Sequence, residues 1–205
     1  MEASVMAAPK SREAAPERIE AVILFAETRG FTRTSAILPA PVVLARLAEF
    51  FAVVRAAVER QGGTVRNVLN DTLMASFSGK AREHKAVQAA QEIQRDFAQF
   101  EESWERDFGI RAAVAIGLHA GETVIGTAAG AMPGQPLVIG DNVSIADRLL
   151  HRARAGEYVL SKPVMDALVA AGVALEAQAL PPLEIPRRDP VQLYGVLRDT
   201  RLDFT

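Results

Sequence analysis

The chain changes the period of its apolar positions several times, and each change marks an element. Ala21 to Ala26 is an unbroken apolar run that ends on Glu27 and is followed by Thr28-Arg29-Gly30-Phe31. A run this short, bounded by a glycine turn, predicts a buried strand. Leu38-Pro-Ala-Pro41 predicts a helix start. Val43, Leu44, Leu47, Phe50, Phe51, Val54 and Val58 then recur at helical spacing, with Arg46, Glu49, Arg55 and Glu59 between them, up to Gln61-Gly62-Gly63. Thr64 to Leu69 and Leu73 to Phe77 flank Asn70-Asp71, which predicts a hairpin with Asp71 at its tip. Ala81 to Phe108 reads as a long helix with Val87, Ala90, Ile93, Phe97 and Trp104 inward, closed by Gly109. His84 near its start is expected at the surface or in a cap, and Trp104 anchors this helix on the sheet.

Ile110 to His119 alternates large and small residues as a strand, and Ala120 to Gly126 is expected to turn back as a second strand. Thr127 to Gly134 reads as a small-residue loop, and Pro136 to Ile139 as a short strand. Asp141 is a candidate N-cap for a helix that buries Val143, Ala146, Leu149 and Leu150. Gly156 to Leu160 reads as a strand, Ser161 to Ala171 as a short helix, and Val191 to Leu197 as an edge strand after a proline-rich loop. The order predicts an α+β fold: a ferredoxin-like βαββαβ core with helices packed on one face of a largely antiparallel sheet. Residues 1–19, made of Ala, Pro and charge, read as a flexible arm, and 20–205 as a single domain.

Composition narrows the function. Hydrophobic content of 49% and charged content of 23% are those of an ordinary soluble globular protein. A net charge of −2 leaves no electrostatic footprint for nucleic acid. No apolar run reaches the roughly 20 residues that span a bilayer, and a cytoplasmic location is expected. With no cysteine and three histidines, any metal would be a hard cation held by oxygens.

Taken residue by residue, the candidates for chemistry are few. Glu27 leaves a buried strand beside turn amides, so it either holds a divalent cation against phosphate or sits in a solvated loop. Asp71 is by default a turn residue. Ser144 and Arg148 fall one turn apart on the polar side of their helix, offering a hydroxyl and a guanidinium to whatever lies across from it, or simply a solvated face. His119 at its strand end reads as a hydrogen-bonded structural histidine.

Together, Leu24-Phe-Ala-Glu-Thr-Arg-Gly-Phe-Thr32, Gly62-Gly-Thr-Val65, Asn70-Asp-Thr-Leu-Met-Ala75, Gly117-Leu-His-Ala-Gly-Glu122, Val138-Ile-Gly-Asp-Asn-Val143 and Ala146-Asp-Arg148 resemble the class III nucleotide cyclase catalytic domain. They occur in the family's order and cover about Ala21 to Leu197. The resemblance implies attack of a ribose 3′-hydroxyl on the α-phosphate of a nucleoside triphosphate, with two Mg²⁺ or Mn²⁺ ions. It places the metal carboxylates at Glu27, where the family pattern has Asp, and at Asp71. It places phosphate-cradling amides at Arg29, Gly30 and Phe31. It also implies a homodimer with its sites between the subunits.

The same resemblance exposes departures. The base-selecting Lys of the family falls on Asn67 and its polar partner on Leu137, which has no hydrogen-bonding group. The ribose-orienting Asn falls on Ser144, while the transition-state Arg is kept as Arg148. A late phosphate-gripping Lys falls near Ile185-Pro186, with Arg187 and Arg188 as substitutes. The implied function is a degenerate, weak or inactive cyclase-homology domain that dimerises and binds a nucleotide in intracellular signalling. The alternatives are an active cyclase with unusual base choice and a ligand-free dimeric scaffold.

Overall fold

The computed structural model describes residues 16–127 and 136–198. The arm is described only from Pro16, and most of the loop expected at Thr127 to Gly134 lies outside the described residues. Strand β1 spans Glu17–Arg29. It begins before the expected apolar run because Glu17 to Ile19 pair with the far end of the neighbouring strand, β4 (Ala113–Gly126). The carboxylate of Glu27 and the guanidinium of Arg29 therefore belong to a strand, not to a turn.

Gly30 adopts φ 91°, a left-handed conformation that favours glycine. The short helix α1 (Phe31–Ile37) follows at once, an element that the sequence pattern did not predict. Helix α2 (Ala40–Arg60), the hairpin of β2 (Thr64–Leu69) and β3 (Thr72–Ser78), and helix α3 (Arg82–Phe108) occur where periodicity placed them. Asn70 takes φ 54° at the hairpin turn, with Asp71 beside it. Leu44, assigned to the buried stripe of α2, is 69% exposed, and Val53 is buried instead.

The hairpin expected after His119 does not form. β4 runs unbroken through Gly121 and pairs with β1 along its whole length. Strand β5 (Leu137–Ile139) pairs with the end of β4. Helix α4 (Asp141–Arg152) leads to β6 (Glu157–Ser161), helix α5 (Lys162–Ala170), β7 (Gln178–Leu183) and β8 (Val191–Leu197). The sheet order is β2-β3-β1-β4-β6-β8-β7. Its β2-β3-β1-β4 portion is antiparallel throughout and forms the ferredoxin-like core, while β4 and β6 are parallel. Val191 to Leu197 is not an edge strand. β7 covers it and carries Pro181-Pro182 at the edge, where missing backbone donors leave no ladder bond unmade.

Alternation along β1 separates two cores. Val22, Leu24 and Ala26 join α2, α3 and α5, including Phe50, Phe97 and Val164. Ala21 and Ile23 point the other way, to Ala146 of α4. Helices thus lie on both faces, α2, α3 and α5 on one and α4 on the other, which corrects the one-face expectation. Gly117 permits this: a methyl group there would run into the backbone of Ala146 and Leu150. Trp104 donates its indole N–H to Glu49 at 3.2 Å, which ties α3 to α2, and it is buried in the same core as Leu24, Ala26 and Val114 of the sheet. Among the described residues, no helix is long and apolar enough to cross a membrane.

Candidate active site

Strand register places Asp71 one residue beyond the partner of Glu27. Thr72, next to Asp71, is paired with Glu27. On β1 the odd-numbered side chains share the face covered by α4, so Glu27 and Arg29 project to the same side. The Arg29 guanidinium donates to Glu27 Oε1 at 2.5 Å, to the Leu150 carbonyl at 2.7 Å and to the Ala153 carbonyl at 2.9 Å. Those carbonyls end α4, where unpaired acceptors and the helix dipole favour a cation. The other Glu27 oxygen, Oε2, accepts only a long contact of 3.5 Å from the Thr72 hydroxyl.

Asp71 is half-buried. Burial pushes its carboxyl above the usual range, opposed by its own backbone N–H and by the charge of Arg29. The two acids suit a hard divalent cation in kind, and one Glu27 oxygen remains available to it. Arg29 already neutralises the other. Among the described residues, no group of three or more His, Cys, Asp or Glu side chains could hold a metal ion.

The expected phosphate cradle is divided. Arg29 lies in the β1–β4 ladder opposite Ala113, whereas Gly30 caps α1 and Phe31 is its first residue. The Gly30 carbonyl accepts from the Thr34 backbone N–H and from its hydroxyl, both at 3.0 Å. The amides after Gly30, at the start of α1, have no carbonyl one turn earlier to bond.

Helix α4 carries the second cluster. Its N-cap is Gly140, so Asp141 is the first helical residue and not the cap. Its carboxylate instead accepts from Arg188. Ser144 and Arg148 are exposed and line a hollow of about 290 Å³ with Asp141, Ile145, Ile185, Pro186 and Arg188. The inward side is Asn142, Ile145, Ala146, Leu149 and Leu150, with Val143 only partly covered. Arg187 is exposed, with φ 64°, and does not line this hollow. Of the two late arginines, Arg188 is the one that the structure brings to Ser144 and Arg148.

The remaining positions are open. Asn67 is exposed on β2 just after a bulge, and Leu137 on β5 is 41% exposed. His119 is the structural histidine expected: its Nδ1 is 2.7 Å from the Ser161 hydroxyl, and burial pushes its pKa down to about 4. Sequence reasoning missed the Arg29 side chain as a partner of Glu27. The signal was there, since residues two apart on a strand share a face.

Residues 14–197 match the family model of the adenylate and guanylate cyclase catalytic domain. A curated adenylate cyclase of Anabaena cylindrica is 29% identical over 131 residues, 62% of this chain. The chain spans about a quarter of that relative's length, 26%. The fold superposes on the adenylyl cyclase CyaB of P. aeruginosa with a TM-score of 0.81 at 19% identity, covering 92% of this chain and 99% of that one. It also matches the guanylate cyclase domain of RhGC from Catenaria anguillulae in complex with GTP, with a TM-score of 0.73 at 18% identity, over 87% of this chain and 97% of that one. With its motifs in order and nearly its whole length matched, this chain belongs to the adenylate and guanylate cyclase catalytic domain family.

Proposed function

We propose that this domain binds a nucleoside triphosphate between two copies of itself and cyclises it slowly or not at all. The observation that carries this reading is the clasp of Arg29 on Glu27, which removes one metal-facing oxygen and fixes it to the end of α4. Cyclisation would form a bond from the ribose O3′ to the α-phosphorus and break the one to the β-phosphate oxygen, releasing pyrophosphate. Mg²⁺ or Mn²⁺, held by Glu27 Oε2 and Asp71, would supply Lewis-acid activation and charge neutralisation when bound. Ser144 is too short to offer the two bonds of an asparagine to a ribose, so orientation of the nucleophile is loosened. Arg148 can still stabilise charge developing on the α-phosphate. The GTP complex of the Catenaria relative supports a triphosphate as the class of ligand.

A second reading, a working cyclase of unusual base choice, is favoured by the shared hollow of Ser144, Arg148 and Arg188. Both readings need nucleotide binding and a dimer. Sedimentation of the purified chain with and without GTP or ATP, alongside binding titrations, tests them together. Binding by a dimer, weakened about tenfold or more in Arg148→Ala, is expected. A monomer that binds no nucleotide would overturn both readings.

A further inference from the structure

Helix α2 lacks the polar outer face of an ordinary surface helix. Leu44, Ala45, Ala48 and Ala52 are exposed, and the charges between them, Arg46 and Glu49, pair with each other and turn toward Phe108 and Trp104 of α3. This apolar strip leads into a hollow of about 480 Å³ between α2 and α3, lined by Ala52, Val53, Ala56 and Phe100 and rimmed by Arg60, Arg95 and Asp96. Arg60 bonds to Glu92 and Asp96, and Arg95 bonds to Asp96, so the Asp96 carboxylate serves two guanidiniums. Arg95 is the more exposed of the two, at 69% against 48%.

The described residues end close to this hollow. Arg198, just after β8, donates to the Gln94 carbonyl and to Glu101 of α3, both at 2.5 Å. At 3.6 residues per turn, Gln94 and Asp96 lie on nearly opposite sides of α3, and Asp96 is the side bonded to α2. The ridge between carries Ala98, one turn on from Gln94, whose single methyl group leaves room for a crossing chain. Residues 199–205, Asp-Thr-Arg-Leu-Asp-Phe-Thr, continue from Arg198. A helix is about 10–12 Å across with its side chains, so halfway round it is roughly 17 Å. An extended chain spans up to about 20 Å from Arg198 to Phe204.

We infer that residues 199–205 fold back across α3 and seat Phe204 in the hollow between α2 and α3, with Asp203 within reach of Arg95. Phe204 is the one aromatic residue of that segment. In the hollow its ring leaves water, meets the Phe100 ring and covers the alanines of α2. A guanidinium that shares its carboxylate with another has donors to offer a second one, which Asp203 supplies. A tether this short gives an effective concentration in the millimolar range, which a second copy or a separate protein would have to match to displace the segment. Nothing in this contact depends on nucleotide binding.

The chain has no cysteine, so disulfide trapping in the full chain tests the contact directly. Thr205→Cys is paired with Ala52→Cys in the hollow or, as a control, with Val169→Cys, an exposed position on α5. Mild oxidation should join position 205 to position 52 within one chain at least about tenfold faster than to position 169, because docking raises the local concentration above that of a free tether. Adding Phe204→Ala should bring the faster rate down to the control rate. Circular dichroism establishes that each variant is folded, and peptide mapping by mass spectrometry identifies the bond. Equal rates at the two positions, or a rate at position 52 that Phe204→Ala leaves unchanged, overturn the proposal. So does a bond that joins two chains, which would make a second copy the occupant of the hollow.

Discussion

Shortening Glu27 by one methylene should free the carboxylate that the clasp now holds. Glu27→Asp draws the carboxylate back by about 1.5 Å, one carbon–carbon bond length. Arg29 cannot follow, because the Leu150 and Ala153 carbonyls fix its other nitrogen at 2.7 and 2.9 Å. The 2.5 Å contact to Glu27 would open to about 4 Å, past any hydrogen bond. The pair is largely covered, at 26% and 16% side-chain exposure, so a charge-assisted bond worth about 1.5–3 kcal/mol is lost. For a domain of this size that is a Tm decrease of roughly 3–12 °C. Both carboxylates then face a cation, and Mn²⁺ affinity should rise by about tenfold, the equivalent of 1.4 kcal/mol. Calorimetry or electron paramagnetic resonance reads the affinity, and differential scanning calorimetry reads the Tm. A Glu27→Asp variant with unchanged Tm and no gain in Mn²⁺ affinity would refute the clasp.

Other consequences follow from particular side chains. His119 stays neutral when folded to about pH 4, against 6.5 for the ordinary group. Between those values the unfolded chain binds a proton that the folded chain does not, so stability falls as pH drops from 6.5 to 4, by up to about 3 kcal/mol. Urea unfolding across that window should show a shallower fall in His119→Gln, with the raised carboxyls of Asp71 and Glu101 acting alike in both proteins. Gly117→Ala pushes a methyl group into the α4 backbone and should cost about 2 kcal/mol, read as a Tm decrease of roughly 4–8 °C. Arg188→Ala empties the hollow of one cation and should weaken triphosphate binding severalfold while flattening its salt dependence, measured by titration at two ionic strengths.

Much of this architecture was legible because long elements carry their period plainly. Helices α2 and α3 and the Asn70-Asp71 hairpin needed nothing beyond spacing and turn chemistry. Helix α1 escaped because seven residues are too few to show a helical stripe. Gly121 suggested a turn, but it is there for close approach: a methyl group would come within 3.2 Å of Asn142 Cβ, and the Asn142 amide donates to the Gly121 carbonyl at 3.1 Å. β7 was hidden by Pro181-Pro182, which an edge strand tolerates. At the candidate site, sequence pattern singled out Glu27, Asp71, Ser144 and Arg148 as candidates. It could not show that Arg29 joins Glu27 to the end of α4. That link depends on tertiary contacts between residues more than a hundred apart.

The most direct measurement is mass spectrometry of cyclic products after incubation with ATP, GTP, CTP and UTP, each with Mg²⁺ and with Mn²⁺, for the wild type, Glu27→Asp and Arg148→Ala. The account predicts little or no product from the wild type, well below about 1 s⁻¹ and thus below the usual enzyme range. It predicts at least about tenfold more from Glu27→Asp, as the freed carboxylate implies, and none from Arg148→Ala. Wild-type turnover at ordinary enzyme rates, no faster in Glu27→Asp, would contradict it.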